Sequence, residues 1–169
     1  AVSKQPFNYR SRLAAGYSAF NLNLHESAVE SYGNAARMVP NSWRIQNNLA
    51  ESQIELGLFD EALAGLDRSI AITGDDPRSA TAILLLGTAY EAIGDTKMAI
   101  QSLERSLAMG LGVSRSFEVH ARLDGIYSRA GRTRGLEQYD EAALRNPRDV
   151  VAIFNQGKAH FAEGNNSEA

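Results

Sequence analysis

The chain has 169 residues, 44% hydrophobic, 22% charged and 8% aromatic, a composition that suits a soluble domain with a core and not a disordered tail. Seventeen Lys and Arg against twenty Asp and Glu leave a net charge of −3, which argues against nucleic-acid binding, and the lack of cysteine removes disulfides, thiolate nucleophiles and Cys-built metal sites. No run of about 18 apolar residues occurs, so direct membrane insertion is not expected. In chain order, apolar residues recurring with a period of about 3.6 predict first helices over 9–21, 43–56, 78–93, 115–129 and 149–162. Second helices are expected between them, over 25–38, 59–72, 96–108 and 133–145. Ile83, Leu86, Ala89, Tyr90 and Ile93 form one such stripe, and Ala99, Ile100, Leu103 and Leu107 another. Asp76 before Pro77, and Asp95 before Thr96, read as cap and first-turn signals. No β-branched run is bounded by hairpin turn pairs, so the expected class is all-α.

The breakers between the helices are periodic. Pro40 and Pro77 lie 37 residues apart, and Pro147 follows 70 later, twice 35, with Gly110-Leu-Gly112 near the missing beat. Gly57, Gly94, Gly131 and Gly164 fall 37, 37 and 33 residues apart, and Asn23 lies 34 before Gly57. Asn tolerates the left-handed backbone that such a turn needs. A punctuation mark recurring every ~35 residues is the signature of a stacked repeat.

The residues inside the units carry a further likeness. Leu86-Gly87, Tyr90, Gly94, Ala99, Leu103 and Leu107 repeat as Leu49-Ala50, Gly57, Ala62 and Leu66, and as Ala15-Gly16, Ala28, Tyr32, Ala35 and Pro40. Leu123, Tyr127, Gly131, Tyr139, Ala142 and Pro147 continue the series, although Asp124 stands where a small residue is expected. In this pattern the chain resembles the tetratricopeptide repeat family. The resemblance implies a right-handed superhelical solenoid of antiparallel helix pairs, a single array with units at 9–40, 43–76, 78–112 and 115–147 and a partial fifth at 149–169. Small residues such as Gly16, Gly87, Ala28, Ala62 and Ala99 would let helices approach, and Tyr32, Leu66 and Leu103 would fill the spaces between units. One helix pair cannot bury its own apolar face, so units must stack.

Catalytic signals are poor. His25, His120 and His160 lack a His or Cys partner at helical spacing; His25 reads as a surface turn residue and His160 as a core substitute for Tyr90 and Tyr127. Gly110-Leu-Gly112 has no preceding strand and no following Lys, so it is read as a helix stop, not a phosphate loop. A G-x-S-x-G elbow is absent. Phe154 and Phe161, seven apart, read as a core or groove stripe before a base-stacking platform. Neither catalytic residues, a metal site nor a cofactor is expected.

The family resemblance implies instead that first helices line a concave groove that holds a peptide or partner protein. By phase from the Gly turn, the groove would include Arg10, Leu13, Tyr17 and Phe20, then Arg44, Asn47, Asn48, Glu51 and Glu55. Leu84, Leu85, Thr88 and Glu91 would follow, then Glu118, Arg122 and Arg129, and finally Phe154, Asn155, Lys158 and Phe161. Arg115, Arg122 and Arg129 recur every seven residues along one helix side, so the groove is expected to run acidic, apolar, basic. Guanidinium rows suit carboxylates or phosphates; the alternative is a solvated face with Glu118 paired to Arg122. Chaperone-binding members hold a terminal carboxylate with Lys, Asn, Asn, Lys and Arg; the corresponding Leu13, Tyr17, Asn48, Thr81 and Leu85 agree only at Asn48, so that mode is not expected.

The resulting expectation is a noncatalytic protein–protein interaction scaffold. Its abundance of Ala, Arg and Gly with few Lys points to a bacterial source, where the family serves pilus, secretion or polysaccharide-export assemblies. The alternative is an accessory domain of a larger enzyme or membrane protein such as a glycosyltransferase or O-antigen ligase. The fifth unit stops at Ser167-Glu168-Ala169, where its second helix should begin, so the array is expected to be cut from a longer one. Its edge near Phe154 and Phe161 would then be covered by another chain, with edge-to-edge self-association as one form, or fray.

Overall fold

The structure is a computed structural model that describes residues 6–129, 144 and 146–156. Seven α-helices run through the described chain: α1 (Pro6–Asn21), α2 (His25–Met38), α3 (Trp43–Glu55), α4 (Phe59–Thr73), α5 (Ala80–Ile93), α6 (Thr96–Ala108) and α7 (Val113–Arg129). A further helical stretch covers 150–156. No strand occurs among the described residues. The expected helix over 133–145 lies outside them apart from residue 144, as do Gly131, Gly164 and the end of the fifth unit.

Each helix pair turns on a left-handed residue. Asn23, Gly57 and Gly94 have φ of 58°, 74° and 92°, so Asn23 does take the place glycine holds in the later turns. Asp95 caps α6 by accepting from the Met98 N–H at 3.0 Å. Asp76 likewise accepts from the Arg78 N–H at 2.8 Å, but here the structure departs from the expected start at 78. Pro77–Ser79 form a single 3-10 turn before α5 begins at Ala80. The Ser79 hydroxyl donates to the Gly74 carbonyl at 2.6 Å and also meets Thr73 Oγ1, which closes the corner on itself. At the other end of that pair α7 starts two residues early, because Gly112 supplies the carbonyl for the Ser116 N–H at 3.0 Å.

The helices pack in sequence: α1 on α2, α3 on α4 and α5 on α6, with α2, α4 and α6 each resting on the next first helix. First helices also touch along one side, α1 with α3 and α3 with α5. That order makes an all-α superhelical repeat whose apolar core is distributed along the stack. Ala28 and Tyr32 close one end; Ala50, Ala62, Leu66 and Leu85 fill the middle; Ala99, Leu103, Leu123 and Ile126 fill the far side. The small residues are required by close approach: a Cβ on Gly16 would lie 2.6 Å from the Tyr32 ring, and one on Gly87 2.8 Å from the Leu103 side chain. Overpacking of that kind costs about 1–3 kcal/mol.

Beyond α7 a buried polar contact holds the next segment. His120 Nε2 lies 3.3 Å from Asp149 Oδ2, with the side chains 2% and 1% exposed. The other oxygen of Asp149 accepts from the Val151 and Ala152 N–H groups at 3.1 Å, so it caps the 150–156 helix. Asn146 Nδ2 donates to the Leu107 carbonyl at 3.0 Å and anchors the same segment to α6.

Candidate functional site

A cleft of about 590 Å³ opens across the first helices of the pairs. From α1 come Arg10, Leu13, Ala14 and Tyr17; from α3, Trp43, Arg44, Asn47, Asn48 and Glu51; from α5, Thr81; from α7, Arg115. The spacing on α3 explains its share. Residues 44, 47, 48 and 51 stand at i, i+3, i+4 and i+7, so they lie along one face of a helix. Trp43 begins α3 and its ring sits under the Arg44 guanidinium, 5.0 Å from centroid to carbon. A smaller recess of about 170 Å³ shares Glu51 and Arg115 with the cleft and continues past Glu55, Leu84, Leu85, Thr88, Glu118 and Arg122.

Asn47 is the chemical anomaly of this surface. Only 3% of it is exposed, yet neither its Oδ1 nor its Nδ2 has a hydrogen-bond partner. Leaving a buried carboxamide unpaired costs about 1–3 kcal/mol. His25 Nδ1 and Gln53 Oε1 are also buried and unpartnered, but neither borders the cleft. His25 itself departs from the surface reading: half-buried at the start of α2, its ring stands edge-on to Phe20 at 5.4 Å. Phe20 is thereby turned into the α1–α2 core rather than the groove.

Electrostatics in the cleft centre on Glu51. Burial raises its carboxyl above the ordinary value, Arg115 opposes this, and Glu55 and Glu118 add to the rise. Nearby, Tyr32 is pushed up to about 12, first by burial and then by the charges of Glu51 and Tyr17. Arg115 Nη1 donates to Thr81 Oγ1 at 3.0 Å.

The predicted groove residues divide by role. Tyr17, Arg44, Asn47, Asn48 and Glu51 meet at the cleft. Thr88 borders the recess, with its hydroxyl returned to the Leu84 carbonyl at 3.2 Å. Leu84 is only 4% exposed and packs with α6 and α7, so it serves the core and merely borders the recess. Arg122 and Arg129 do lie along one side of α7, but Glu91 engages both, at 3.2 Å and 2.6 Å, and Glu118 takes Arg122 as well at 3.2 Å. The acidic-to-basic order expected along the groove is therefore altered: its distal arginines are neutralised, and its unpaired ones stand at the cleft. Asn155 is half-buried on the 150–156 helix and does not border the cleft; Lys158 and Phe161 lie outside the described residues. Sequence reasoning passed over Trp43 as a groove contact and placed Thr81 only among the positions compared with carboxylate-binding members. The signal for Trp43 was its place one residue before Arg44 at the start of a first helix.

Residues 44–110 match the tetratricopeptide repeat model. The chain is 24% identical over 148 residues to BBSome complex member BBS4 of Bos taurus, covering 87% of this chain and 27% of that protein's length. Among solved structures it is similar to the first repeat domain of Spaghetti (RPAP3), with a TM-score of 0.65 at 18% identity over 78% of this chain and 99% of that one. It is also similar to the TPR2B domain of yeast Sti1, with a TM-score of 0.61 at 22% identity over 74% and 97%. The stretch over residues 44–110 thus carries the tetratricopeptide repeat pattern, and the described helices have the solenoid fold of these neighbours.

Proposed function

We propose that the chain is a noncatalytic protein-interaction scaffold that holds a peptide segment of a partner against the concave face of α1, α3, α5 and α7. The observation that carries this reading is the cleft with Asn47 on its wall. A buried carboxamide with both a donor and an acceptor unused matches the C=O and N–H of an extended peptide backbone. Leu13, Ala14, Tyr17 and Trp43 give the same cleft apolar surface for a side chain. Two neighbours with this fold support the reading: the Spaghetti domain is bound to an HSP90 peptide, and the Sti1 domain forms a complex with Hsp70.

Trp43 is the chain's single tryptophan, so its emission reports on the cleft directly. Peptides selected from a random display library against the chain should shift that emission and should lose at least tenfold in affinity for Asn48→Arg, which fills the cleft. Selected peptides that bind the parent and Asn48→Arg alike, with Trp43 emission unchanged, would place recognition elsewhere on the molecule.

A further inference from the structure

The sorting of arginines across the groove says more than that a peptide binds; it bears on which one. Arg122 and Arg129 are held by Glu91 and Glu118. Arg10, Arg44 and Arg115 border the cleft, and none of them has a carboxylate within ion-pair distance among the described residues. Their direct contacts are neutral, although Arg115 also attracts Glu51 through space: Arg10 lies over the Tyr9 ring, Arg44 over Trp43, and Arg115 against the Thr81 hydroxyl. The chain as a whole is acidic at −3, so three unpaired guanidiniums around one cleft are a local inversion of its field. Against them the cleft sets one carboxylate, Glu51. Low-dielectric walls focus such a field into the opening.

Resting on the groove reading above, we infer that the cleft selects an acidic linear segment of a partner protein, with one apolar side chain seated between α1 and α3 and flanking Asp or Glu residues facing Arg10, Arg44 and Arg115. Asn47 meets the main-chain amide of the seated residue. Arg10, Arg44 and Arg115 reach the cleft from three different helices, α1, α3 and α7, so carboxylates on both flanks of the seated residue have a guanidinium to meet. Guanidinium groups suit this because they accept two-pronged pairing with carboxylates. Glu91 has a matching part in selection, since it removes the distal arginines from competition for the same charge.

The test uses the full chain and three fluorescein-labelled peptides, each with a central Leu flanked on both sides by Glu, Ser or Lys, acetylated and amidated so that chain ends carry no charge. Anisotropy should give the Glu-flanked peptide an affinity about tenfold or more above the Ser-flanked one at low salt, with the gap closing to about threefold or less in 0.5 M NaCl. Arg44→Glu with Arg115→Glu should reverse the order in favour of the Lys-flanked peptide. Arg12→Glu, a single charge reversal at an exposed α1 position that does not border the cleft, should leave it intact. Melting curves of each variant confirm folding, and Arg44→Gln with Arg115→Gln repeats the loss without reversed charge. Equal or tighter binding of the Ser- or Lys-flanked peptide by the parent overturns the acidic-segment inference while leaving the groove reading standing. Binding of none of the three also overturns it, and the display selection with Asn48→Arg then decides the groove reading separately.

Discussion

At Asn47 the folded chain keeps a carboxamide out of water with neither of its polar atoms bonded. Free of ligand, that is a liability of about 1–3 kcal/mol. Asn47→Leu, with the same branching and number of side-chain heavy atoms but no polar ones, should therefore melt at or above the parent temperature while losing the groove's peptide affinity. A lower melting temperature would show that Asn47 is satisfied in solution and that its role is structural. Glu51 carries a second conflict, this one dependent on pH. Burial first, with help from Glu55 and Glu118, raises its carboxyl above the ordinary value despite Arg115. The folded protein then binds the proton more tightly than the unfolded chain. Stability from this site is greatest at low pH and is lost as pH rises from the unfolded pKa through the folded one. Glu51→Gln should melt higher than the parent at pH 7 and about equally near pH 4. Equal melting at both values would mean that Arg115 cancels the effect of burial.

Two elements, α5 and α7, are tied by one carboxylate. Glu91 on α5 meets Arg122 and Arg129 of α7, and all three side chains retain contact with water, at 22%, 35% and 65% exposure. Solvent screening keeps such a pair near 0–1 kcal/mol. Glu91→Gln should therefore lower stability by about 1 kcal/mol or less, measured by urea unfolding, and the difference should vanish in high salt. It should also free Arg129, while Glu118 keeps its hold on Arg122, and raise affinity for the Glu-flanked peptide, which a purely structural pair would not do. This pairing marks where the sequence stopped being legible. Helical periodicity and left-handed turns are local, so Asn23, Gly57 and Gly94 revealed seven helices within a few residues of their bounds. The seven-residue spacing of Arg115, Arg122 and Arg129 correctly put them on one side of α7. The Glu118–Arg122 pair at i,i+4 was legible there too, but the hold of Glu91 on Arg122 and Arg129, 31 and 38 positions away, is decided only by the approach of α5 to α7. The 3-10 turn at Pro77–Ser79 escaped for a similar reason: it depends on hydroxyl contacts among Thr73, Gly74 and Ser79 that a cap signal at Asp76 does not announce.

Across the molecule, adjacent residues of α5 face different parts of the stack. Leu85 packs with Ala50, Ala62 and Leu66 of α3 and α4, whereas Leu84 packs with Leu103, Leu123 and Ile126 of α6 and α7. Both are buried, at 7% and 4% exposure, so neither orientation is free to relax into solvent. A repeat array is held by contacts between nearest neighbours, and damage should spread no farther than the interface that contains it. Truncation to Ala at either site removes comparable apolar volume and should cost about 2–5 kcal/mol. The two variants should nevertheless fail differently under amide hydrogen exchange. Leu84→Ala should lose protection first in α6 and α7 while α3 and α4 keep theirs, and Leu85→Ala should do the reverse. Only the first should disturb the Glu91 pairing, because that pairing spans the same α5–α7 interface. Only the second should loosen α3 and with it the Asn47 side of the cleft, so at matched stability it should weaken peptide binding more. Identical exchange patterns in both variants would mean that the helices unfold as a single cooperative body, and that α5 transmits a local loss along the whole stack.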